Sequence, residues 1–288
     1  GTTMALAAFG ESARLLDRLA PFHTAYEAGD LAVPHDFGRP TEWNHRGRLH
    51  WHFPESEPIR RLAEEHGAAD VAAAAQDVLE RQVLGLVRHW TAACGTPRLA
   101  CGGGVFLNVK LNQRIRYEAG LVEQWVVPDA ADSGLALGAA LQVWHADGDR
   151  PPSPIEHLSL GPSFSDAAVR EVLHARRLDH RPTADPAGEA ARLLAEGRIV
   201  GWFQGRMEAG PRALGNRSIL MSPLAAANTA VLNQRVKFRE SFRPFCPSIA
   251  AEHAAAYLEG GRAEEFMITS FRVAPKKRER IPAAVHVD

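Results

Sequence analysis

A stretch rich in arginine and glycine near the carboxy-terminal end limits what this chain can fold into more than any other feature. Between Arg206 and Arg243 lie six Arg and one Lys against two Glu, although the whole chain carries 33 basic and 34 acidic residues. Residues that interrupt long helices lie at its start: Gly205, Gly210, Pro211 and Gly215. Planar guanidinium groups bind phosphate oxygens in pairs. The stretch predicts a loop-rich site for a polyphosphate, with a solvated basic loop or a nucleic-acid patch as the alternatives.

Length and composition are those of a globular protein. The 288 residues are 45% hydrophobic and 23% charged, which suffices for one large or two medium domains, and we expect two. No run approaches the roughly 20 apolar residues of a membrane span, and the first residues do not resemble a secretory signal. Three cysteines without a CxxC spacing predict reduced, buried thiols. These features predict a cytoplasmic enzyme that does not bind membranes.

A glycine triplet separates a predicted strand from a predicted helix in the first half of the chain. Residues 98–101 are predicted to form a short buried strand, and the helix through Tyr117 follows Gly102, Gly103 and Gly104. Strand, glycine turn and helix together form cradles for phosphates or nucleosides. Such turns also serve close packing alone, so the residues leave binding and packing equally open.

Candidate metal ligands are present but scattered. Asp132 precedes a glycine turn, where an Asp most commonly caps a helix. His50 and His52 lie at strand spacing, but a metal site needs further ligands that the sequence does not place beside them. The surrounding residues 38–58 are predicted to form a long surface loop, with a ligand wall as the alternative.

Periodicity and turn residues predict the remaining elements. Apolar spacing predicts a helix over residues 68–93 and short strands around the turn at residues 28–30. Residues 148–155 are rich in Pro and Gly and predict a domain boundary. Beyond it we predict helices at 166–177, 186–196 and 225–236, and strands at 198–203, 217–221, 247–250 and 266–273. Alternating helices and strands predict an α/β domain with ligand loops at its strand ends.

Two long motifs carry a family resemblance. Gly-Arg-Met-Glu-Ala-Gly-Pro-Arg-Ala-Leu-Gly-Asn-Arg-Ser over residues 205–218 and Lys-Phe-Arg-Glu-Ser-Phe-Arg-Pro-Phe over residues 237–245 resemble the carboxy-terminal signature of the O-carbamoyltransferases that modify antibiotics and nodulation factors. In that family the domain is similar to YrdC, whose Lys-x-Arg-x3-Lys/Arg-Pro signature is matched by Lys237, Arg239, Arg243 and Pro244. The resemblance implies that this domain joins carbamoyl phosphate to ATP, forming carbamoyl adenylate and releasing pyrophosphate.

The resemblance also implies roles for individual residues. The catalytic cations, which would stabilise charge on phosphoryl oxygens, are Lys237, Arg239, Arg206 and Arg217. The residues that would bind nucleotide or substrate are Arg212, Asn216, Ser218, Arg243 and Ser248. The three uncharged members of this second set are equally compatible with simple turn roles.

The glycine turn resembles the adenosine-side turn of the ASKHA-type domain that forms the other half of these enzymes. Its Gly-Gly-Val-x-x-Asn pattern implies binding roles for Gly102, Gly103, Gly104 and Asn108. The family's metal site includes an Asp before x-Gly, matched by Asp132, and implies a divalent metal, iron or alternatively magnesium. Its histidine ligands would precede the first residue, and a nucleotide-holding turn would follow the last. We therefore expect a chain truncated at both ends that does not complete carbamoyl transfer alone.

These implications combine into an α/β chain with two partial domains. Residues 1–155 would form the ASKHA-type carbamoyl-transfer domain and residues 156–288 the YrdC-like, carbamoyl-adenylate-forming domain. The implied partners are ATP, carbamoyl phosphate and a hydroxylated natural product, as in antibiotic biosynthesis, and a homodimer is compatible. A nucleotide- or RNA-binding module without turnover and an inactive remnant are the rival interpretations. The formal net charge of −1 argues against general nucleic-acid binding.

Overall fold

The computed structural model describes residues 2–23, 25–32, 39–43, 49–52, 56–148 and 155–287. The helices of these ranges are α1 (Thr2–Ala7), α2 (Leu16–Leu19), α3 (Ser56–His66), α4 (Ala68–Ala93), α5 (Val109–Glu118), α6 (Gly134–Ala146), α7 (Asp166–Ala175), α8 (Pro186–Ala195), α9 (Ala227–Leu232), α10 (Ala251–Tyr257) and α11 (Pro275–Arg278). The strands are β1 (Ala25–Glu27), β2 (Asp30–Ala32), β3 (Arg39–Trp43), β4 (Leu49–His52), β5 (Arg98–Cys101), β6 (Glu123–Val126), β7 (Val200–Phe203) and β8 (Arg217–Leu220). Consecutive strands pair, and the described residues thus contain four two-stranded sheets.

The long helix α4 is the scaffold of the first half. Its 26 residues are rich in alanine and larger aliphatic side chains, which favour helix and give it an apolar face. Helices α1 and α3 and the turn Ser12–Arg14 pack against it. The buried cluster between these elements is aliphatic: Leu15, Leu19, Leu62 and Ala74. Gly10 allows the chain to cross the start of α4 closely, because a Cβ there would lie 2.1 Å from the Ala69 carbonyl oxygen.

Helix α5 is fixed to α4 by an ion-pair network. The Arg114 guanidinium donates to the Glu80 carboxylate at 2.9 Å and to the Asp77 carboxylate at 3.3 Å. Burial raises the pKa of the Asp77 carboxyl, but hydrogen bonds from Arg81 and Arg114 outweigh it and hold the pKa below its ordinary value. The network therefore fixes the helix that follows the glycine turn.

Strands β5 and β6 form a parallel pair in which Arg98 lies opposite Glu123 and Cys101 opposite Val126. The core beneath this pair draws on both halves of the chain: Cys101, Val126, Leu158, Phe266 and Ile268. Burial of shared apolar surface is a main source of folding stability. The two halves are therefore joined by a common core.

Strands β7 and β8 form an antiparallel pair that begins and ends the first arginine-rich segment. Phe203 at the end of β7 lies opposite Arg217 at the start of β8. Farther along, α9 widens into a π-helical turn over Asn233–Lys237, and the chain leaves it at Phe238 with a left-handed φ of 49°. Both segments with the family motifs are thus loops anchored on regular elements.

Several sequence predictions are confirmed. The β1–β2 pair turns at residues 28–29, α4 has the predicted bounds, and β5 and β6 flank the glycine turn and α5. The helices predicted after residue 155 are present as α7, α8 and α9, although α9 is shorter than predicted. The mixed organisation of helices and small sheets agrees with the α/β class. The ASKHA-type and YrdC-like assignments stay predictions.

Three predictions of local structure were wrong. Residues 247–250 and 266–273 are not strands; the latter segment makes only an isolated pairing between Val273 and Leu258. In place of a surface loop over residues 38–58, β3 and β4 pair as an antiparallel hairpin and α3 begins at Ser56. Short apolar runs occur in strands and in buried loops alike, which explains the first two errors. Burial of the cysteines is confirmed for Cys101 but was wrong for Cys94 and Cys246, which are exposed.

Part of the predicted domain boundary lies outside the described residues, which resume at residue 155. The division at that point is a prediction. No helix in the described ranges is both long and apolar enough to cross a bilayer.

Candidate functional site

A single carboxylate organises the first arginine-rich loop. Oε1 of Glu208 accepts hydrogen bonds from the backbone N–H groups of Leu214 at 2.9 Å, Asn216 at 2.6 Å and Arg217 at 3.2 Å. Partial burial raises the pKa of Glu208, but these backbone donors outweigh it and hold the pKa below its ordinary value. Glu208 thus fixes the loop that presents Arg206, Arg212 and Arg217, and the sequence alone gave no reason to assign it a role.

Two of the predicted catalytic arginines brace the same loop through backbone carbonyls. Arg206 donates from Nε to Gly161 O and from Nη2 to Leu160 O, both at 2.8 Å. Arg217 donates from Nη1 to Gln204 O at 2.6 Å, and its guanidinium lies 3.6 Å from the centroid of the Phe203 ring. Each guanidinium has five N–H donors, so donors remain for a ligand.

The uncharged residues of the loop hold its turns. Asn216 donates from Nδ2 to Ser159 Oγ at 2.9 Å and to the Arg206 carbonyl oxygen at 2.7 Å. Ser218 Oγ accepts from the Gly215 N–H at 3.0 Å, whereas Ser248 lies exposed in an irregular segment. For Asn216 and Ser218 the structure thus shows turn-forming contacts, and their ligand contacts stay predictions.

The second arginine-rich loop, residues 237–245, is built around a buried amide to which sequence patterns assigned no role. Asn233 is fully buried, and its Nδ2 donates to the carbonyl oxygens of Ser241 at 3.2 Å and Arg243 at 2.8 Å. Its Oδ1 accepts from Arg239 Nε at 2.6 Å. The only signal in the sequence was an amide at the end of an apolar helical run. Asn233 therefore sets the shape of the loop and the direction of Arg239.

The remaining cations of this loop differ in their surroundings. The Arg239 guanidinium lies 4.6 Å from the centroid of the Phe245 ring, and burial lowers its pKa, as does the neighbouring Arg243. Arg243 forms an ion pair of 3.8 Å with Glu240. Lys237 is exposed, and its ammonium makes no hydrogen bond or ion pair with any residue the structure describes. Lys237 is thus a cation available to a ligand.

The glycine turn presents backbone to solvent. Gly102, Gly103 and Gly104 are exposed, and Gly103 has a φ of 98°, which a residue with a Cβ rarely adopts. Asn108 caps α5: its Oδ1 accepts from the Leu111 N–H at 3.1 Å, and its Nδ2 donates to Gln76 Oε1 at 2.8 Å. The turn is open to a ligand, whereas the Asn108 amide is engaged within the protein.

A cavity of about 210 Å³ lies next to this amide. It is bordered by Gln76, the partner of Asn108, and by residues of α1, α4 and α5. Its polar lining consists of Ser12, Gln76, Asp77, Glu80 and Lys110. Such donors and acceptors suit hydroxyl groups.

The arginine-rich loop touches the glycine turn directly. Arg212 donates from Nη2 to the Leu107 carbonyl oxygen at 3.1 Å, while its buried Nε has no hydrogen-bond partner in the part of the chain that the structure describes. Burial lowers the pKa of Arg212. On the same side Asn112 Nδ2 donates to Ile268 O at 2.6 Å. These contacts bring the predicted sites of the two halves together.

Asp132 stands apart from any cluster of ligands. It is exposed, and the helix-capping position of α6 is occupied by Ser133 without a capping hydrogen bond, so the plain N-cap interpretation was wrong. The nearby buried carboxylate is Asp129, which accepts from Ser133 Oγ at 2.6 Å. Within the described ranges, no three His, Cys, Asp or Glu side chains lie together as a metal site would require. The side chains of His50 and His52 lie outside the described residues.

Comparison with known proteins agrees with the motifs. Residues 1–141 match the model of the carbamoyltransferase N-terminus, and residues 191–288 match that of the carbamoyltransferase C-terminus. The chain is 37% identical over 298 residues to nodulation protein NolO of Bradyrhizobium diazoefficiens, covering 99% of this chain and 52% of that protein. It is 35% identical to nodulation protein NolNO of Sinorhizobium fredii, covering 99% and 42%.

A third relative comes from an archaeon. The uncharacterized protein MJ1058 of Methanocaldococcus jannaschii is 31% identical over 296 residues, which cover 100% of this chain and 47% of that protein. The chain thus spans about half the length of the curated relatives it matches. Because both family regions match in order and relatives align along almost the whole chain, the protein belongs to the carbamoyltransferase family.

Proposed function

We propose that the arginine-rich loops bind ATP and carbamoyl phosphate for the formation of carbamoyl adenylate, and that the carbamoyl group then passes to a hydroxyl of a small-molecule natural product. The observation that carries this proposal is the contact between Arg212 and the Leu107 carbonyl oxygen. It places a cationic loop suited to phosphates beside a glycine turn suited to a nucleoside. Carbamoyl adenylate formed at the arginine-rich loop would have a short path to the glycine turn.

The proposed reaction balances as two displacements after one hydrolysis. Water cleaves the carbamoyl–phosphate bond and releases inorganic phosphate. A carbamate oxygen attacks the α-phosphorus of ATP, and pyrophosphate leaves. The acceptor oxygen then attacks the carbamoyl carbon, AMP leaves, and the hydroxyl proton passes to a base. Negative charge grows on phosphoryl oxygens in the second step, and preorganised cations stabilise such charge.

The cations divide this task according to their surroundings. Lys237 is exposed and its ammonium has no partner among the described residues, so we assign it the first contact with a phosphate. Arg239 is directed by Asn233, and Arg206 and Arg217 keep free N–H donors beyond their carbonyl contacts. Together they would clamp a triphosphate from two loops.

The family resemblance implies a divalent metal, but the described residues do not fit one by themselves. Asp132 is an exposed carboxylate, and the described ranges hold no group of three candidate ligands. An isolated carboxylate binds a metal weakly. No step of the proposed mechanism therefore uses a metal.

The acceptor would occupy the polar cavity beside Asn108. Gln76 is both a wall of that cavity and a partner of Asn108, so an alcohol bound there would lie near the glycine turn. Saturation-transfer NMR with a panel of sugars and amino sugars tests this assignment. Binding that weakens in Gln76→Leu would support it, and binding unaffected by that change would contradict it.

Calorimetric titration with ATP tests the nucleotide assignment. Lys237→Ala should weaken ATP binding by about 10- to 150-fold, because a charge-assisted hydrogen bond contributes roughly 1.5–3 kcal/mol. The matched control is Lys276→Ala, which removes an exposed lysine outside the two arginine-rich loops, in α11. Equal ATP affinities for the parent, Lys237→Ala and Lys276→Ala would show that the phosphate site lies elsewhere.

A nucleotide- or RNA-binding module without turnover is the second candidate. It is favoured by Phe238, which is 83% exposed next to Lys237, since exposed aromatic rings beside cations stack on bases. Nucleic-acid affinity falls steeply with salt, whereas a pocketed ATP site depends on salt far less. Fluorescence titrations with ATP and with single-stranded RNA at low and moderate salt distinguish the two functions.

A further inference from the structure

A second cavity of about 210 Å³ lies at the far end of α5 from Asn108. The ten residues of α5 separate the two ends by about 15 Å. This second cavity is lined by the end of α5, the turn into β6, the start of β6 and a turn in the carboxy-terminal half: Arg116, Tyr117, Leu121, Val122, Gln124 and Gly260. None of these residues belongs to the nucleotide site proposed above.

One wall of this cavity contains the buried side-chain amide of Gln124. Gln124 is only 7% exposed, yet its Nε2 is buried and makes no hydrogen bond among the described residues. The great majority of buried side-chain amides in proteins have a hydrogen-bond partner, so an unpaired amide calls for an explanation. Gln124 lines the cavity, so a rotation of its side chain would bring this donor to a ligand acceptor atom there.

A second wall contains the guanidinium of Arg116. Arg116 is partly buried, and its side chain forms no hydrogen bond or ion pair within the part of the chain that the structure describes. Burial lowers its pKa and the nearby Arg262 lowers it further, while Tyr117 and Glu264 act in the opposite direction. Arginine stays charged under such conditions.

Further charged and aromatic side chains lie near Arg116. The Glu264 carboxylate forms an ion pair of 3.7 Å with Arg262. Arg272 lies over the Tyr117 ring at 5.3 Å from its centroid, and the Tyr117 hydroxyl donates to the Glu259 carbonyl oxygen at 3.1 Å. Arg262 thus pairs with Glu264, and within the described ranges the Arg116 guanidinium makes no ion pair with a carboxylate.

We propose that this cavity is a binding site for a small anion with a phosphate or carboxylate group. Arg116 would bind the anionic oxygens, and Gln124 Nε2 would donate to one of them or to a neighbouring acceptor. Leu121, Val122 and the Tyr117 ring would contact an apolar portion. Because Gly260 belongs to the carboxy-terminal half, an anion bound here would also bridge the two halves of the chain.

Site-resolved NMR on the whole 288-residue chain tests this proposal. Inorganic phosphate and, separately, acetate are titrated while the Gln124 side-chain amide and the Arg116 Nε–H signals are followed. We expect both signals to shift and saturate with one dissociation constant for at least one of the two anions. The anion with the lower constant identifies the preferred headgroup.

Variants separate this site from the nucleotide site. Arg116→Gln and Gln124→Leu should each weaken the anion binding by about tenfold or more. Arg170→Gln, an exposed arginine of α7, is the matched control and should leave the binding unchanged. Lys237→Ala should also leave it unchanged, so failure of the ATP assignment would not imitate failure here.

Two results would overturn the proposal. One is the absence of a saturable shift at Gln124 with either anion in the folded parent protein. The other is unchanged affinity in both variants. If Arg116→Gln does not fold, the anion affinities of Gln124→Leu and Arg116→Lys are compared with that of the parent. Affinities equal to the parent's in both variants would refute the site.

Discussion

Replacement of Asn233 by alanine should lower both the stability of the protein and its affinity for ATP. The side chain is fully buried, donates to the carbonyl oxygens of Ser241 and Arg243, and accepts from Arg239 Nε. A neutral hydrogen bond contributes roughly 0.5–1.5 kcal/mol and one to a charged group roughly 1.5–3 kcal/mol. Allowing for partial relaxation and for water reaching the loop, Asn233→Ala should reduce the free energy of unfolding by about 3 kcal/mol.

The effect on ATP follows from the loss of direction in Arg239. Without the 2.6 Å contact to Asn233 the guanidinium keeps its charge but loses its fixed geometry. We expect ATP affinity of the folded variant to fall by about tenfold. Asn233→Asp separates the loss of stability from the loss of direction in Arg239. Its carboxylate still accepts from Arg239 Nε but is repelled by the carbonyl oxygens of Ser241 and Arg243. This variant should lose stability while retaining more ATP affinity than Asn233→Ala.

Urea unfolding followed by far-ultraviolet circular dichroism measures the stability, and calorimetry at zero urea measures the ATP affinity. Asn228→Ala is the matched control, because that amide donates a single hydrogen bond, to Ser222 O at 2.8 Å. It should cost about 1 kcal/mol or less and leave ATP affinity unchanged. The reasoning is refuted if Asn233→Ala costs no more than Asn228→Ala, or if it folds and binds ATP as the parent does.

Three further predictions concern side chains with perturbed pKa values or buried partners. Glu208→Gln should lose the most stability, relative to the parent, above pH about 4.3, and the loss should shrink as pH falls through the lowered pKa of Glu208. Urea unfolding as a function of pH measures this difference, and a difference independent of pH would contradict the prediction. Arg114→Met should cost about 1–3 kcal/mol in the same assay, because it leaves two partly buried carboxylates facing each other, and an unchanged midpoint would contradict this. Burial raises the pKa of Cys101 to about 11, so iodoacetamide at pH about 8 should alkylate the exposed Cys94 and spare Cys101, as read by peptide mass spectrometry; equal labelling would contradict it.

Local patterns in the sequence carried enough information for the long elements. Helix α4 has the predicted bounds because its apolar side chains recur at helical spacing over 26 residues. The pair β5–β6 and the glycine turn were predictable because a strand, a glycine run and a helix follow each other within a few residues. Such signals depend on neighbours in the chain.

The errors arose where distant contacts decide the structure. Phe266 and Ile268 are buried at alternate positions, as in a strand, but they fill a core shared with Cys101 and Val126 without a continuous strand partner. In residues 38–58, pairing between β3 and β4 decided against a loop. A short apolar or aromatic run does not specify which of these contacts it makes.

The candidate site shows the same limit. The sequence identified the cations, because arginine and lysine in a glycine-rich stretch indicate an anion site. It did not indicate that Arg206 would bond to Gly161, 45 positions away, or that Glu208 and Asn233 would hold the loops. Partners of buried polar groups depend on packing, which no local pattern encodes.

Photo-crosslinking with an ATP derivative that carries an azidoanilide on its γ-phosphate, followed by peptide mass spectrometry, tests whether the arginine-rich loops bind the phosphates of ATP. We predict that the label falls within residues 202–248, which contain both arginine-rich loops, and that excess ATP prevents the labelling. We also predict that Lys237→Ala reduces the labelling, whereas Lys276→Ala does not. Labelling that falls outside this segment, or that excess ATP fails to prevent, would contradict the assignment of the nucleotide site.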